Sequence, residues 1–342
     1  MISLTAIMAS ITSCFSGKTI PSFPKNSNAV IEEVQQKAIT PDWHLGRLDT
    51  VSNEELSIHF ESIGDEKNPT IVLIMGYGTS GLAWSTDFIQ PLLDASFHVV
   101  RFDNRDTGRS RWIEGKEPQK GVYYKLSDMA KDVCRILDKL EKEKAHIVGI
   151  SMGGMIGQQM AIDHPERVHS LSCMASTGFY FDPDLVSISG KVIRANAKMM
   201  LKYGIKPKTF QKEVKKRTST VAFLRNDKTI DEAMLSFVAQ RLLFKKENDY
   251  VNHPKADKRH GKAIRKSGSR LDKLGELKMP VLLIHGTDDV LIGHQHSEKY
   301  AKLIPNKKEV YIDGMGHIPN PEQDKLSSAE ILLFIREYFS KQ

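Results

Sequence analysis

The sequence predicts an α/β protein: a mostly parallel open sheet with helices on both faces and a helical insertion. Three observations predict it. Several strand candidates are continuous apolar runs, as strands covered on both faces require. Stretches of helical period separate most of them. The alternation then lapses between about residues 177 and 275, where helical runs follow one another without a strand candidate.

Taken in order, residues 57–64 (SIHFESIG) alternate as a half-exposed strand does. Residues 69–76 (PTIVLIMG) form an unbroken apolar run, and 98–104 (HVVRFDN) repeat the theme. Residues 126–140 place Leu126, Met129, Val133, Ile136, Leu137 and Leu140 at helical spacing. The segments around 146–150, 168–176, 280–286 and 308–314 complete the strand candidates. The C-terminal SAEILLFIREYFSKQ reads as an amphipathic helix closing one face. The expected organisation is a leader and tether over 1–40, core over 41–176, helical cap over 177–275, and core again over 276–342. In the cap, Met199, Met200, Leu201, Met234, Leu242 and Leu243 are expected to line an apolar pocket or to form the cap's own core.

Residues 1–14 carry no charged side chain and end in small residues before Cys14. They resemble a bacterial lipoprotein signal, with Ile11-Thr12-Ser13-Cys14 at the lipobox. That implies cleavage before Cys14, a lipid anchor there, and a location in the bacterial envelope. The leader lacks the Lys or Arg such signals carry, so the alternative is an uncleaved tail on a cytoplasmic protein. The Ser, Pro, Asn and Lys of residues 15–40 suit a flexible tether.

Composition is that of a globular protein, with 40% hydrophobic and 27% charged residues. Past the leader no apolar run is long enough to span a bilayer. No Cys/His cluster points to a metal, and Cys134 and Cys173 read as small core residues. Charge is divided unevenly. Residues 181–270 hold 22 Lys and Arg against 9 Asp and Glu, a surplus of 13. A net charge of +7 leaves the remainder at −6. The basic cap is either a solvated surface or a face drawn to an anionic one, such as phospholipid. No nucleic-acid-binding signature accompanies it.

Residues 149–153, Gly-Ile-Ser-Met-Gly, sit between a strand candidate and a helix candidate. Their G-x-S-x-G pattern is the turn that lifts a serine hydroxyl above a sheet edge, and it tolerates only small residues two positions either side. It makes Ser151 a candidate nucleophile and the Met152 N–H, at the helix start, a candidate oxyanion donor. Serine needs a base, and the base an orienting acid. Asp288 and Asp289 lie just past the strand at 280–286, and His317 follows the next strand within Gly-Met-Gly-His. Parallel strands bring such loops to one edge. His285 reads as structural, and His294 and His296 as surface.

With these motifs, Leu73-Ile74-Met75-Gly76, Ala83-Trp84 and the loop Phe102–Ser110 (FDNRDTGRS), the chain resembles the α/β-hydrolase superfamily, in the branch that includes aclacinomycin methylesterase. The resemblance covers roughly 45–176 and 276–340. It implies Asp289 as the acid, with Asp288 as fallback and Asp182 or Asp184 as a second alternative. It implies the Tyr77 N–H as the other oxyanion donor. Many relatives have His-Gly where this chain has Met75-Gly76, which leaves that backbone donor intact. The 102–110 loop is expected to be a structural charge network. The expected function is hydrolysis of a small-molecule carboxylic ester by Ser151, His317 and Asp289, without cofactor or metal. The alternatives are a lipase or lysophospholipase at a membrane, held there by lipidated Cys14 and the basic cap, and a non-catalytic binding protein.

Overall fold

The computed structural model describes residues 20–37, 43–116, 118, 123–185 and 190–339. Cys14 and its anchor lie outside the described residues. Contacts divide the chain into two compact units, Asp42–Ser187 with Phe244–Gln342, and Met1–Pro41 with Ile188–Leu243.

The larger unit is built on one nine-stranded sheet. In chain order its strands are β1 (Arg47–Ser52), β2 (Leu56–Ile63), β3 (Thr70–Ile74), β4 (His98–Phe102), β5 (Arg111–Trp112), β6 (Ala145–Ile150), β7 (Val168–Met174), β8 (Val281–Gly286) and β9 (Lys307–Ile312). The spatial order is β1-β2-β4-β3-β6-β7-β8-β9, with β5 beside β2. From β4 to β9 every pairing is parallel, whereas β1, β2 and β5 pair antiparallel. β1 and β5 carry no sustained apolar run, so the sequence pattern does not announce them.

The apolar runs are buried on both sides because alternate residues enter different cores. Val72, Ile74, Ile147, Leu171 and Leu283 face one cluster; Ile71, Leu73, Val148, Met174 and Leu282 face the other. In chain order the helices are α1 (Ser27–Lys37), α2 (Thr86–Asp94), α3 (Leu126–Lys139), α4 (Met152–Asp163), α5 (Gly190–Tyr203), α6 (Phe210–Arg225), α7 (Glu232–Glu247), α8 (Ala256–Ser267), α9 (Leu271–Leu274), α10 (Gln295–Ala301) and α11 (Pro321–Phe339). Helices α3 and α4 cover the first face, and α2 and α11 the second. Cys134 and Cys173 are buried core residues.

Three expected boundaries are corrected. Residues 27–37 are not tether but α1, whose Ile31 and Val34 are buried against Val214, Leu235 and Ala239 in the smaller unit. The spacing of Val30, Ile31 and Val34 is helical, and burying it outweighs the polar surroundings. Residues 177–185, like residues 244–275, belong to the sheet-bearing unit and not to a separate cap. There α8 packs Ala263 into the first core and pairs Arg259 with buried Asp106, Nη1 to Oδ1 at 2.6 Å. Within the smaller unit Met199 is core, and Leu242 and Leu243 pack against the Ile31 cluster, while Met200 and Leu201 are exposed.

Two histidines at the sheet's lower edge are buried. His98 lies between the hydroxyls of Ser62 and Thr70, and His146 Nδ1 meets Ser170 Oγ at 2.8 Å. Burial holds His98 down to about 4. Burial, with the neighbouring His169, holds His146 down to about 3. Both lie below the unfolded value of about 6.5, so the unfolded chain binds more protons between these limits. Stability is therefore present above about pH 6.5 and falls as pH drops toward 4. The denaturant midpoint should decline over that window, and His146→Phe, among the rings of Phe97 and Phe339, should flatten the decline.

Candidate active site

Ser151 occupies the single position between β6 and α4, at φ 56° and ψ −120°. That left-handed conformation costs of the order of 1–3 kcal/mol for a residue with a side chain and persists only where surroundings enforce it. The enforcement is visible. Ser151 N–H donates to Met174 O at 2.8 Å, and Ser151 O accepts from Ser176 Oγ at 2.8 Å and Gly154 N–H at 3.0 Å. A Cβ at Gly153 would stand 2.0 Å from Ile74 O, and one at Gly149 would stand 2.3 Å from the Gly153 carbonyl. Both glycines are therefore required by backbone contact.

The loops after β8 and β9 converge on this serine. His317 Nε2 lies 3.0 Å from Ser151 Oγ, and His317 Nδ1 lies 2.7 Å from Asp289 Oδ2. A carboxylate only accepts, so the proton sits on Nδ1 and leaves Nε2 free to accept from the hydroxyl. Asp289 Oδ1 accepts from the N–H groups of Leu291 and Ile292 at 2.8 and 2.9 Å. His285 Nε2 stands 3.3 Å from Asp289 Oδ2 and 2.8 Å from Ile292 O. Burial alone would push the Asp289 carboxyl up. Electrostatic attraction to the His317 ring, with hydrogen bonds from His285 and His317, outweighs burial and holds the carboxyl well below the carboxylate range. A hydroxyl, an imidazole and a fixed carboxylate in this order can transfer a proton away from oxygen as that oxygen attacks.

Met152 opens α4, so its N–H lies at the helix's positive end. Tyr77 follows Gly76, whose Cβ, were there one, would stand 3.7 Å from Ser151 Oγ. The loop is fixed on its far side. Tyr77 OH donates to Asp257 O at 2.5 Å, Gly78 N–H to His260 Nδ1 at 3.1 Å, and Asn252 Nδ2 to Gly78 O at 2.6 Å. Burial, with Asp257 and Tyr180 nearby, pushes the Tyr77 phenol up to about 12. Met75 O accepts from Asn104 Nδ2 at 2.8 Å.

The 102–110 loop is a buried charge network. Asp103 accepts from Gly81 and Arg109 N–H, Arg105 pairs with Asp132, and Asp106 accepts from Tyr124 OH and Arg259. Asp288 is exposed, and Asp182 and Asp184 are both paired to Lys299 at 2.8 Å, so His317 takes only Asp289 of these four. His285 is fully buried, with Nδ1 2.6 Å from Ser297 Oγ. His296 is buried rather than on the surface, because its Nδ1 engages Thr177 Oγ1 at 3.0 Å; His294 is half-buried. His260 and Asn252 are contacts that sequence reasoning missed. They meet Gly78 across 182 and 174 residues, and nothing local marks them. Among the described residues no group of three or more His, Cys, Asp or Glu is arranged to hold a metal ion.

A family model described as alpha/beta hydrolase fold matches residues 69–324. The rhodomycin D methylesterases of Streptomyces sp. strain C5 and Streptomyces peucetius are each 28% identical over 291 residues, spanning 82% of this chain and 95% of theirs. A crystal structure of a membrane phospholipase A, described as a bacterial virulence factor, superposes with a TM-score of 0.64. It is 20% identical and covers 97% of this chain and 96% of its own, a likeness of fold.

The glycine contacts yield a comparison within one helix. A Cβ at Gly157 would meet only the side chains of Leu171 and Ile147, at 2.8 and 3.3 Å. Alanine gains about 1 kcal/mol of helix propensity at either site. Gly153→Ala should lower the thermal midpoint well below that of Gly157→Ala, because the contact at Gly153 is backbone.

Proposed function

The chain belongs to the α/β-hydrolase fold family, and from that premise we propose that it is a serine hydrolase cleaving a carboxylic ester through an acyl-enzyme. Ser151 Oγ attacks the ester carbonyl while His317 Nε2 accepts its proton. The N–H groups of Met152 and Tyr77 stabilise the oxyanion of the tetrahedral intermediate. Collapse expels the alkoxide, which takes the proton from His317 and leaves as alcohol. Water then attacks the Ser151 ester, gives its proton to the same imidazole, and releases the acid as the serine is reprotonated. Asp289 stays ionised and stabilises the imidazolium. No step calls for a metal or organic cofactor.

The observation that carries this reading is the unbroken contact from Ser151 Oγ through His317 to Asp289, at 3.0 and 2.7 Å. The methylesterase relatives support an ester with a small alcohol leaving group. A second reading is favoured by the surplus of 13 positive charges in residues 181–270: action on lipid esters at a membrane, with the lipid anchor expected at Cys14. A non-catalytic binding protein would need neither the strained serine nor the proton relay.

A fluorophosphonate probe should label the purified protein, and Ser151→Ala and His317→Ala should abolish labelling. Asp289→Asn should lower kcat by about 10⁴-fold, since it permits the wrong imidazole tautomer. A folded parent that takes no label would remove the serine-hydrolase reading. A series of methyl, butyryl and long-chain acyl esters would then separate the two substrate classes.

A further inference from the structure

We propose that α5 and the turn after it form a docking surface for an anionic phospholipid membrane. One face of α5 is spent inside the smaller unit, where Ala195, Met199 and Tyr203 pack with Phe223. Away from that face, Ile193, Met200, Leu201 and Ile205 are 62, 48, 77 and 74% exposed. Single exposed apolar residues are ordinary, but four large ones within 13 residues mark a contact face. The turn that presents Ile205 is held in place, because Lys216 Nζ donates to Gly204 O at 3.0 Å and Ile205 O at 2.6 Å.

Charge identifies what the face meets. From Leu185 to Lys212 there are seven Lys and Arg and no Asp or Glu. Exposed Lys191, Arg194, Lys202 and Lys206 flank the apolar residues. A bilayer with anionic headgroups matches both features, phosphates for the cations and acyl chains for the apolar side chains. A second copy would set this cationic run against itself. Nucleic acid would satisfy the cations and leave the apolar face in water. Vesicle binding is read without turnover, so its failure leaves ester hydrolysis standing.

The test uses the full chain carrying Cys14→Ser, which removes any lipid anchor at that residue. Sedimentation with phosphatidylcholine vesicles is compared with vesicles holding about 30 mol% phosphatidylserine. Binding should be at least about tenfold stronger to the anionic vesicles and should weaken with salt. Leu201→Asp with Ile205→Asp, and separately Lys202→Glu with Lys206→Glu, should each lose about tenfold while fluorophosphonate labelling stays at the parent rate. Equal or absent binding to the two vesicle types would overturn the proposal, as would parental binding by either double variant. A dimer in sedimentation velocity that the Asp pair dissolves would assign the face to a second copy instead.

A separate geometry carries a second inference, which rests on the oxyanion role assigned above. The structure assigns His260 and Asn252 as positioning residues for the loop bearing Tyr77. They hold the two polar groups of one residue, Gly78 N–H and Gly78 O, at 3.1 and 2.6 Å. His260 is fully buried and can accept at Nδ1 because its Nε2–H donates to Arg105 O at 2.7 Å. Gly78 has φ +61°, and a Cβ there would meet Asp257 Oδ1 at 2.5 Å, so the loop has little freedom once gripped. With a soluble ester, His260→Leu and Asn252→Ala should each lower kcat by about tenfold or more at nearly constant KM. His260→Gln, which keeps an acceptor, should restore part of the loss. Parental kcat in both variants would overturn the inference. A fall matched by unfolding, without rescue by Gln, would reduce the contact to structural support. A parent that neither labels nor turns over would instead fail the hydrolase reading.

Discussion

The site depends on the backbone clearance at Ser151. Strand β6 runs straight into α4 with one residue between them, and that residue takes a left-handed conformation. The sheet makes this possible because β3 and β7 flank β6 on either side. Ile74 O from one neighbour fills the space where Gly153 would carry a side chain, and Met174 O from the other accepts the Ser151 N–H. The strain of one residue is thus set against interactions of three strands and a helix, which is why it can persist.

The same edge explains the rest of the arrangement. Parallel strands end together, so the loops after β3, β6, β8 and β9 meet there. Each loop is then fixed by buried polar contacts. Asp103 and Asn104 hold the segment after β3, Leu291 and Ile292 N–H groups orient Asp289, and Ser176 holds Ser151 O. Segment 250–260 adds Arg259 to Asp106 and two hydrogen bonds to Gly78. A buried charge left without its partner is costly, so this network resists rearrangement as a unit.

Much of this was legible in the sequence because it is written in local patterns. The apolar runs at 70–74, 98–102, 168–174 and 281–286 are strands because both faces are covered. The glycines around Ser151 read as a turn because only glycine fits the contacts later seen. What failed depended on partners far along the chain. Ile31 and Val34 look like spacer residues until Val214 and Leu235 cover them. His296 reads as surface in a polar stretch until Thr177 accounts for it. Segment 244–275 shares its composition with the basic region before it, yet Arg259 and Ala263 anchor it to the sheet-bearing unit. Composition reports a surface, whereas membership of a core is decided by contacts that composition does not encode.

The acid-free run from 185 to 212 and the candidate site answer to different constraints. The contact running from Ser151 through His317 to Asp289 is local and rests on one buried carboxylate held by two histidines, an arrangement indifferent to net charge. Substrate delivery is a long-range matter, in which the field of many exposed charges raises encounter rates and salt weakens it. The acid-free run from 185 to 212 lies in a segment that contributes none of Ser151, His317, Asp289, Met152 or Tyr77. Its lysines lie outside the contacts that fix Ser151, His317 and Asp289, and its exposed apolar residues outside those that fix the sheet.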